Sequence, residues 1–115
     1  MSQWSVLQQH LGYVFQDENF LVQALTHRSA GAQHNERMEF LGDVVLSAVI
    51  TRWMFETYPQ FTEGQLSELR AQLVNKKRLV IVAKQLLLND VLIVGPGEKH
   101  ASGHYRESIL ANTVE

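Results

Sequence analysis

Glu36, Glu39 and Asp43 are spaced three and then four residues apart, which brings side chains together on one side of a helix. At about 100° per residue, their carboxylates fall within an arc of roughly 60°. Three like charges this close repel one another, and a divalent cation among them relieves the repulsion. That makes the stretch a candidate metal site. The competing reading is structural, because acids in the first turns of a helix are favourable partners of its dipole. Taken alone, the residues leave both readings open.

The helix that must carry these acids opens at Asn35 and runs to about Tyr58, where Pro59 stops it. Met38, Leu41, Val45, Ala48 and Val49 gather opposite the acids, so the helix is expected to pack through that side and to be central to the fold. More oxygen donors stand near the end of the chain. Asn112 and Glu115 share a face of a helix expected to begin near Arg106 or Glu107, with Ile109, Leu110 and Val114 apolar. If the two helices lie side by side, Glu115 joins Glu39 and Asp43. Such an oxygen set suits Mg2+, with Mn2+ as a substitute.

Elsewhere the pattern is also helical. Ser2 is placed to cap a first helix containing Trp4, Val6, Leu7 and Leu11, ended by Gly12. Asp17 precedes a second, with Phe20, Leu21, Ala24 and Leu25 at helical spacing. Residues 26–31 read as its end and a loop. Thr62 to Gln65 opens a fourth helix with Leu66, Leu69 and Leu73; Asn75 to Arg78 separates it from a fifth, with Leu79, Val82, Ala83, Leu86 and Leu87. Val91 to Val94 is β-branched enough to be extended, and residues 95–106 form a glycine-containing loop. The expectation is an all-α domain of six helical segments.

With 115 residues, 45% of them hydrophobic, the chain makes one globular domain. The absence of cysteine excludes disulfides and thiolate metal sites and fits a cytoplasmic protein. No signal-peptide pattern and no membrane-length apolar run is present, so no membrane partner is expected. A net charge of −2 means that any nucleic-acid role must rest on local patches. Lys76, Lys77 and Arg78, and Lys99 and Arg106 with His100 and His104, are the candidates for RNA phosphate; a solvated turn and a surface loop are the alternatives. His27 reads as a local hydrogen-bonding residue at a helix end, and His10 as a surface residue.

The stretch Asn35-Glu36-Arg37-Met38-Glu39-Phe40-Leu41-Gly42-Asp43 closely resembles the signature of bacterial ribonuclease III. Leu25 to Ser29, Gly95 to Glu98 and Glu107 to Ala111 match the same family in the same order. The resemblance covers almost the whole chain. It implies an all-α endonuclease domain that dimerises and cleaves double-stranded RNA with Mg2+, leaving phosphomonoester ends, as in RNA processing. The implied chemistry is in-line attack of a metal-activated water on the phosphodiester. Residue by residue, Glu39 and Asp43 match metal-binding carboxylates, and Glu115 matches one that binds metal and organises the water. Glu36 matches a supporting acid near the scissile site. Phe40 matches an aromatic that plugs into the partner subunit, although its bare type fits a core residue as well. Arg37 carries no metal role and is expected to pair with nearby acids.

Three departures follow. Asn112 stands where the family has aspartate; its amide keeps a carbonyl oxygen but loses the charge, making it a poorer Mg2+ ligand. Val44 replaces a usual serine. The family also continues beyond the position of Glu115, so residues 1–115 read as an incomplete catalytic domain without a double-stranded-RNA-binding domain, expected to leave apolar surface uncovered and to be marginally stable or prone to aggregate. Two functions therefore stand side by side. One is a Mg2+-dependent endoribonuclease; the other is a catalytically impaired RNA-binding or dimerisation module. A plain helical scaffold would bind no metal at all.

Overall fold

A computed structural model describes residues 3–115, so the expected Ser2 cap lies outside the described residues. Six helices follow one another: α1 (Ser5–Leu11), α2 (Glu18–Ala24), α3 (Glu36–Thr57), α4 (Glu63–Leu73), α5 (Lys76–Gln85) and α6 (Gly103–Val114). Single 3-10 turns occupy Arg28–Ala30 and Leu88–Asp90. The all-α expectation holds. Among the described residues no helix is long and apolar enough to cross a membrane.

Several helix ends have side-chain causes. Gly12 closes α1 in the left-handed region (φ 68°), a conformation glycine adopts without steric cost. Asp17 caps α2 by accepting the Asn19 N–H at 3.0 Å. Thr62 and Gln65 form a reciprocal capping box at α4. Asn75 accepts the Arg78 N–H at 2.8 Å, and that cap starts α5 at Lys76. Lys76, Lys77 and Arg78 are therefore the first turn of a helix and not a separating turn. Likewise α6 begins at Gly103, a turn earlier than expected. The extended reading of 91–94 reduces to one bridge, in which the Ile93 N–H donates to Leu25 O (2.9 Å) and the His27 N–H to Ile93 O (2.8 Å).

The main core is built by Trp4, Leu7, Leu21, Leu25, Ala83, Leu88 and Leu110, from α1, α2, α5, α6 and the 88–90 turn. A second cluster packs Leu79 and Val80 of α5 on Ala111 of α6. The acidic helix is not central: α3 lies along the side of this body, against α4 and α6. Its packing face also differs from expectation. Leu41, Val45, Ala48 and Val49 are exposed, while Leu46 packs beside the second cluster and Met54 is only 1% exposed. Leu46, Ile50 and Met54 follow the acids at helical spacing, so the side carrying Glu39 is the side that faces the body. Because α3 is apolar nearly all round, its pattern alone does not say which side turns inward.

The start of α3 is held by the two residues just before it. Asn35 is buried and spends its side chain on Ala24 O (2.9 Å) in place of capping its helix, while its N–H donates to Thr26 O (3.0 Å). Gln23 Nε2 donates to His34 O at 3.1 Å. The end of α2 thus fixes where the acidic turns begin. Farther along, Arg70 of α4 donates to Thr51 Oγ1 of α3 at 3.0 Å.

Candidate functional site

The acids meet where α3 passes the end of α6. Gly42 makes this possible: a Cβ there would collide with the backbone carbonyl of Glu115. Glycine inside a helix costs about 1 kcal/mol relative to alanine, so its presence in the middle of α3 signals a close backbone approach, one that reading the signature for its acids alone passes over. The contact places the Asp43 and Glu115 carboxyls within hydrogen-bonding reach. Half-burial first, then the hydrogen bond and the charges of Asp43 and Glu39, push Glu115 up to about 7. Burial, with the neighbouring charges of Glu36 and Asp43, raises Glu39 as well. A proton shared between Glu115 and Asp43 would relieve this repulsion as a cation would.

The structure brings Glu39, Asp43 and Glu115 together and leaves Glu36 at the edge. Glu36 is exposed, 4.0 Å from His34 Nε2, and acts on Glu39 through charge. Asn112 joins Asn35, Glu39, Thr113 and Glu115 in lining a cavity of about 250 Å³, otherwise walled by apolar residues such as Leu7, Leu21 and Leu88. The donor chemistry fits a hard divalent cation: oxygen donors only, with mutual repulsion that a cation would relieve. Among the described residues no three acids or histidines form a ready-made cage. Mg2+ does not require one, since it is held by one or two carboxylates and keeps several waters.

Phe40 is 80% exposed, on the outward side of α3 with Leu41, Val44, Val45 and Val49. Arg37 makes no ion pair among the described residues and lines a shallow hollow with Phe40. The basic candidates divide into two places. Lys76, Lys77 and Arg78 are exposed at the start of α5, with Lys76 Nζ 3.4 Å from His104 O. Lys99 and Arg106 share an open hollow with Lys84 and His100, where Arg106 Nε donates to Asn89 Oδ1 at 2.8 Å and its Nη1 is buried without a partner. His27 is the local hydrogen-bonding residue expected, bonded through Nδ1 to Ser29.

Comparison with known proteins places this geometry. The ribonuclease-III-like family model matches residues 17–115. Ribonuclease 3 of Shewanella denitrificans is 52% identical over 109 residues, covering 95% of this chain and 48% of the relative. Ribonuclease 3 of Shewanella amazonensis is 55% identical over 105 residues, covering 91% and 46% respectively. The chain thus spans about half the length of the curated relatives it matches. The nuclease domain of ribonuclease III from Campylobacter jejuni superposes with a TM-score of 0.90 at 40% identity, over 97% of this chain and 79% of that one. With the family model matched from Asp17 to Glu115 and half of the aligned residues identical to those relatives, this chain belongs to the ribonuclease-III-like family.

Proposed function

We propose that this chain is the catalytic part of an endoribonuclease that cleaves double-stranded RNA with Mg2+, or Mn2+ in its place, as a homodimer engaged in cytoplasmic RNA processing. The observation that carries the reading is the Asp43–Glu115 contact beside Glu39, built across two helices by Gly42, in a chain of this family. Glu39, Asp43 and Glu115 would hold the cation, with the Asn112 carbonyl oxygen as a neutral fourth donor. A divalent cation held there would supply a nucleophilic water at neutral pH and positive charge against the phosphate. The chain's own residues do the rest. Gly42 lets the two helix backbones approach closely, the Glu115 carboxylate would face the cation beside Asp43, and Glu36 lies at the rim where RNA would approach. Carboxylates beside a polyanion repel it until the cation is in place, so metal and RNA binding are coupled.

The homodimer rests on the outward face of α3. Phe40, Leu41, Val44, Val45, Val49 and Phe55 leave an apolar strip uncovered, of the kind that marks a protein interface. One solved Campylobacter jejuni relative is described by flexibility in the region involved in dimer formation of its nuclease domain. RNA duplexes are read by shape, phosphates and 2′-hydroxyls, so little sequence preference is expected.

Asn112 supports a second reading, a module that binds RNA or dimerises with impaired cleavage, because the amide lacks the charge Mg2+ favours. One experiment separates the two. The protein is incubated with a long RNA duplex in Mg2+ and in a chelator, alongside Asn112→Asp. Metal-dependent cleavage by the parent supports the enzyme. A folded dimer inactive in Mg2+ sinks that reading, and rescue by Asn112→Asp with an unchanged melting curve assigns the defect to the missing charge.

A further inference from the structure

A second cavity, of about 210 Å³, shares Asn35, Glu39 and Asn112 with the apolar one and extends past Glu36 to His27, Arg28, Tyr105 and Ser108. Its walls are polar, and one of them is locked. Ser29 Oγ accepts the Gly95 N–H at 2.9 Å, so its own hydrogen is free to go to His27 Nδ1, 2.8 Å away. The same Nδ1 faces the Ser29 N–H at 3.2 Å. An imidazole whose Nδ1 accepts carries its proton on Nε2. Burial, then the adjacent Arg28 charge, lower the His27 pKa, which favours the neutral ring. Tyr105 stands edge-on to the imidazole with centroids 6.2 Å apart. Gly95 lies so close to Ser29 that a Cβ there would strike the Ser29 carbonyl, so the histidine loop is pinned at this point.

Two donors are then left over. Among the described residues His27 Nε2 meets no acceptor, and the exposed Arg28 guanidinium has neither an ion pair nor a hydrogen bond. Both belong to a cavity that also contains Glu36 and Glu39. A neutral N–H and a free guanidinium beside a cleavage site match the two groups a nucleotide backbone offers, a ribose hydroxyl and a phosphate. We propose that His27, Arg28 and Tyr105 form a subsite for the ribose-phosphate of a nucleotide flanking the cleaved bond. Arg28 takes the phosphate, His27 Nε2 donates to the ribose 2′-oxygen, and Tyr105 walls the sugar. The inference rests on the proposed cleavage of double-stranded RNA. His27 and Arg28 are positioning residues in it.

The test uses the full chain. Duplex binding is measured in chelator across a salt series, and cleavage is measured in Mg2+, for the parent, Arg28→Ala, Tyr105→Ala and His27→Phe. Arg28→Ala is expected to weaken duplex binding roughly tenfold and to lower the salt slope by about one, with KM raised and kcat little changed. Single 2′-deoxy substitutions are then placed along the strand around the cleaved bond. One flanking position is expected to slow the parent about fivefold and to cause no further loss in His27→Phe. Because His27→Phe also releases Ser29, a variant that fails to melt like the parent is set aside, and Arg28→Ala and Tyr105→Ala decide. A parent that cleaves duplex, with Arg28→Ala and Tyr105→Ala unchanged in affinity, slope and KM, overturns the subsite alone. Arg28-dependent binding of inorganic phosphate without any effect on the duplex overturns it too. A parent that neither binds nor cleaves duplex overturns the cleavage reading first, and the subsite with it.

Discussion

Gly42→Ala sets two physical effects of opposite sign against each other. Alanine is the better helix former by about 1 kcal/mol, so on an uncrowded helix the change stabilises. Here the new Cβ would overlap the carbonyl carbon and oxygen of Glu115 and lie 3.4 Å from its Cα. The obstacle is backbone, which cannot rotate aside as a side chain can. Overpacking of this kind costs about 1–3 kcal/mol. The net expectation is a loss of about 1 kcal/mol, seen as a melting temperature lower by roughly 4 °C. If the end of α6 swings away instead, the stability loss shrinks, but the Glu115 carboxyl leaves Asp43. Mg2+ affinity and duplex cleavage then fall by at least roughly tenfold, the equivalent of about 1.4 kcal/mol. Gly64→Ala in α4 is the matched control, because its Cβ would meet nothing nearer than Thr62 Oγ1 at 3.9 Å. It is expected to raise stability by about 0.5 kcal/mol. Thermal melts with and without Mg2+, calorimetric titration of Mg2+ and duplex cleavage read both branches. A Gly42→Ala protein that melts higher than the parent, binds Mg2+ equally and cleaves equally would refute the close approach as the organising contact of the site.

Two further outcomes are expected. Glu115 has a folded pKa near 7 against an ordinary 4.5, so its contribution to stability is full below pH 4.5 and is lost as pH rises through 7. At ~1.4 kcal/mol per pH unit the ceiling is about 3 kcal/mol, which solvent screening of a half-buried group reduces to about 1 kcal/mol. The difference in metal-free unfolding free energy between parent and Glu115→Gln should therefore fall between pH 4.5 and 7, and Mg2+ should abolish the fall; a difference that is flat or rising contradicts the shared proton. Phe40→Ala should leave the unfolding of dilute monomer within about 0.5 kcal/mol, since the ring is 80% exposed. It should raise the dimer dissociation constant at least roughly a hundredfold, two buried rings being worth about 2 kcal/mol each. Sedimentation equilibrium that finds the same association in parent and variant removes Phe40 from the interface.

Much of this was legible in the residues, and the failures have identifiable causes. Carboxylate spacing on α3, its proline stop and the Asn112–Glu115 register on α6 all depend on local helix geometry, which sequence encodes directly. The inward side of α3 is not legible from its pattern because apolar residues lie on several sides of the helix. The acid-free side looked like the packing side, yet Leu46, Ile50 and Met54 line up behind the acids. Lys76 to Arg78 looked like a turn because cations oppose the dipole at a helix start; the Asn75 cap outweighs that preference. The early start of α6 has only the weak signal of Ser102 at its N-cap position, offset by Gly103, glycine being a poor helix former. The His27–Ser29–Gly95 chain joins residues 66 positions apart, a contact no local pattern reveals.

The packing side of α3 is what gives the acids their chemistry. Glu36 and Asp43 are exposed; had Glu39 faced solvent too, the acids' mutual repulsion would be more fully screened and their affinity for a cation weaker. Facing the body and close to Glu115, Glu39 is half-desolvated, and Glu115 keeps a proton to near neutrality. A cation that displaces this proton gains from the same low-dielectric surroundings that raised the pKa. The inward turn has a second consequence. It forces Phe40, Leu41, Val44 and Val45 outward, so the surface proposed for a second subunit and the site proposed for the metal are fixed by one rotation of one helix. A substitution that turned α3 about its axis would therefore impair dimerisation and metal binding together, whereas independent surfaces would let one survive the other.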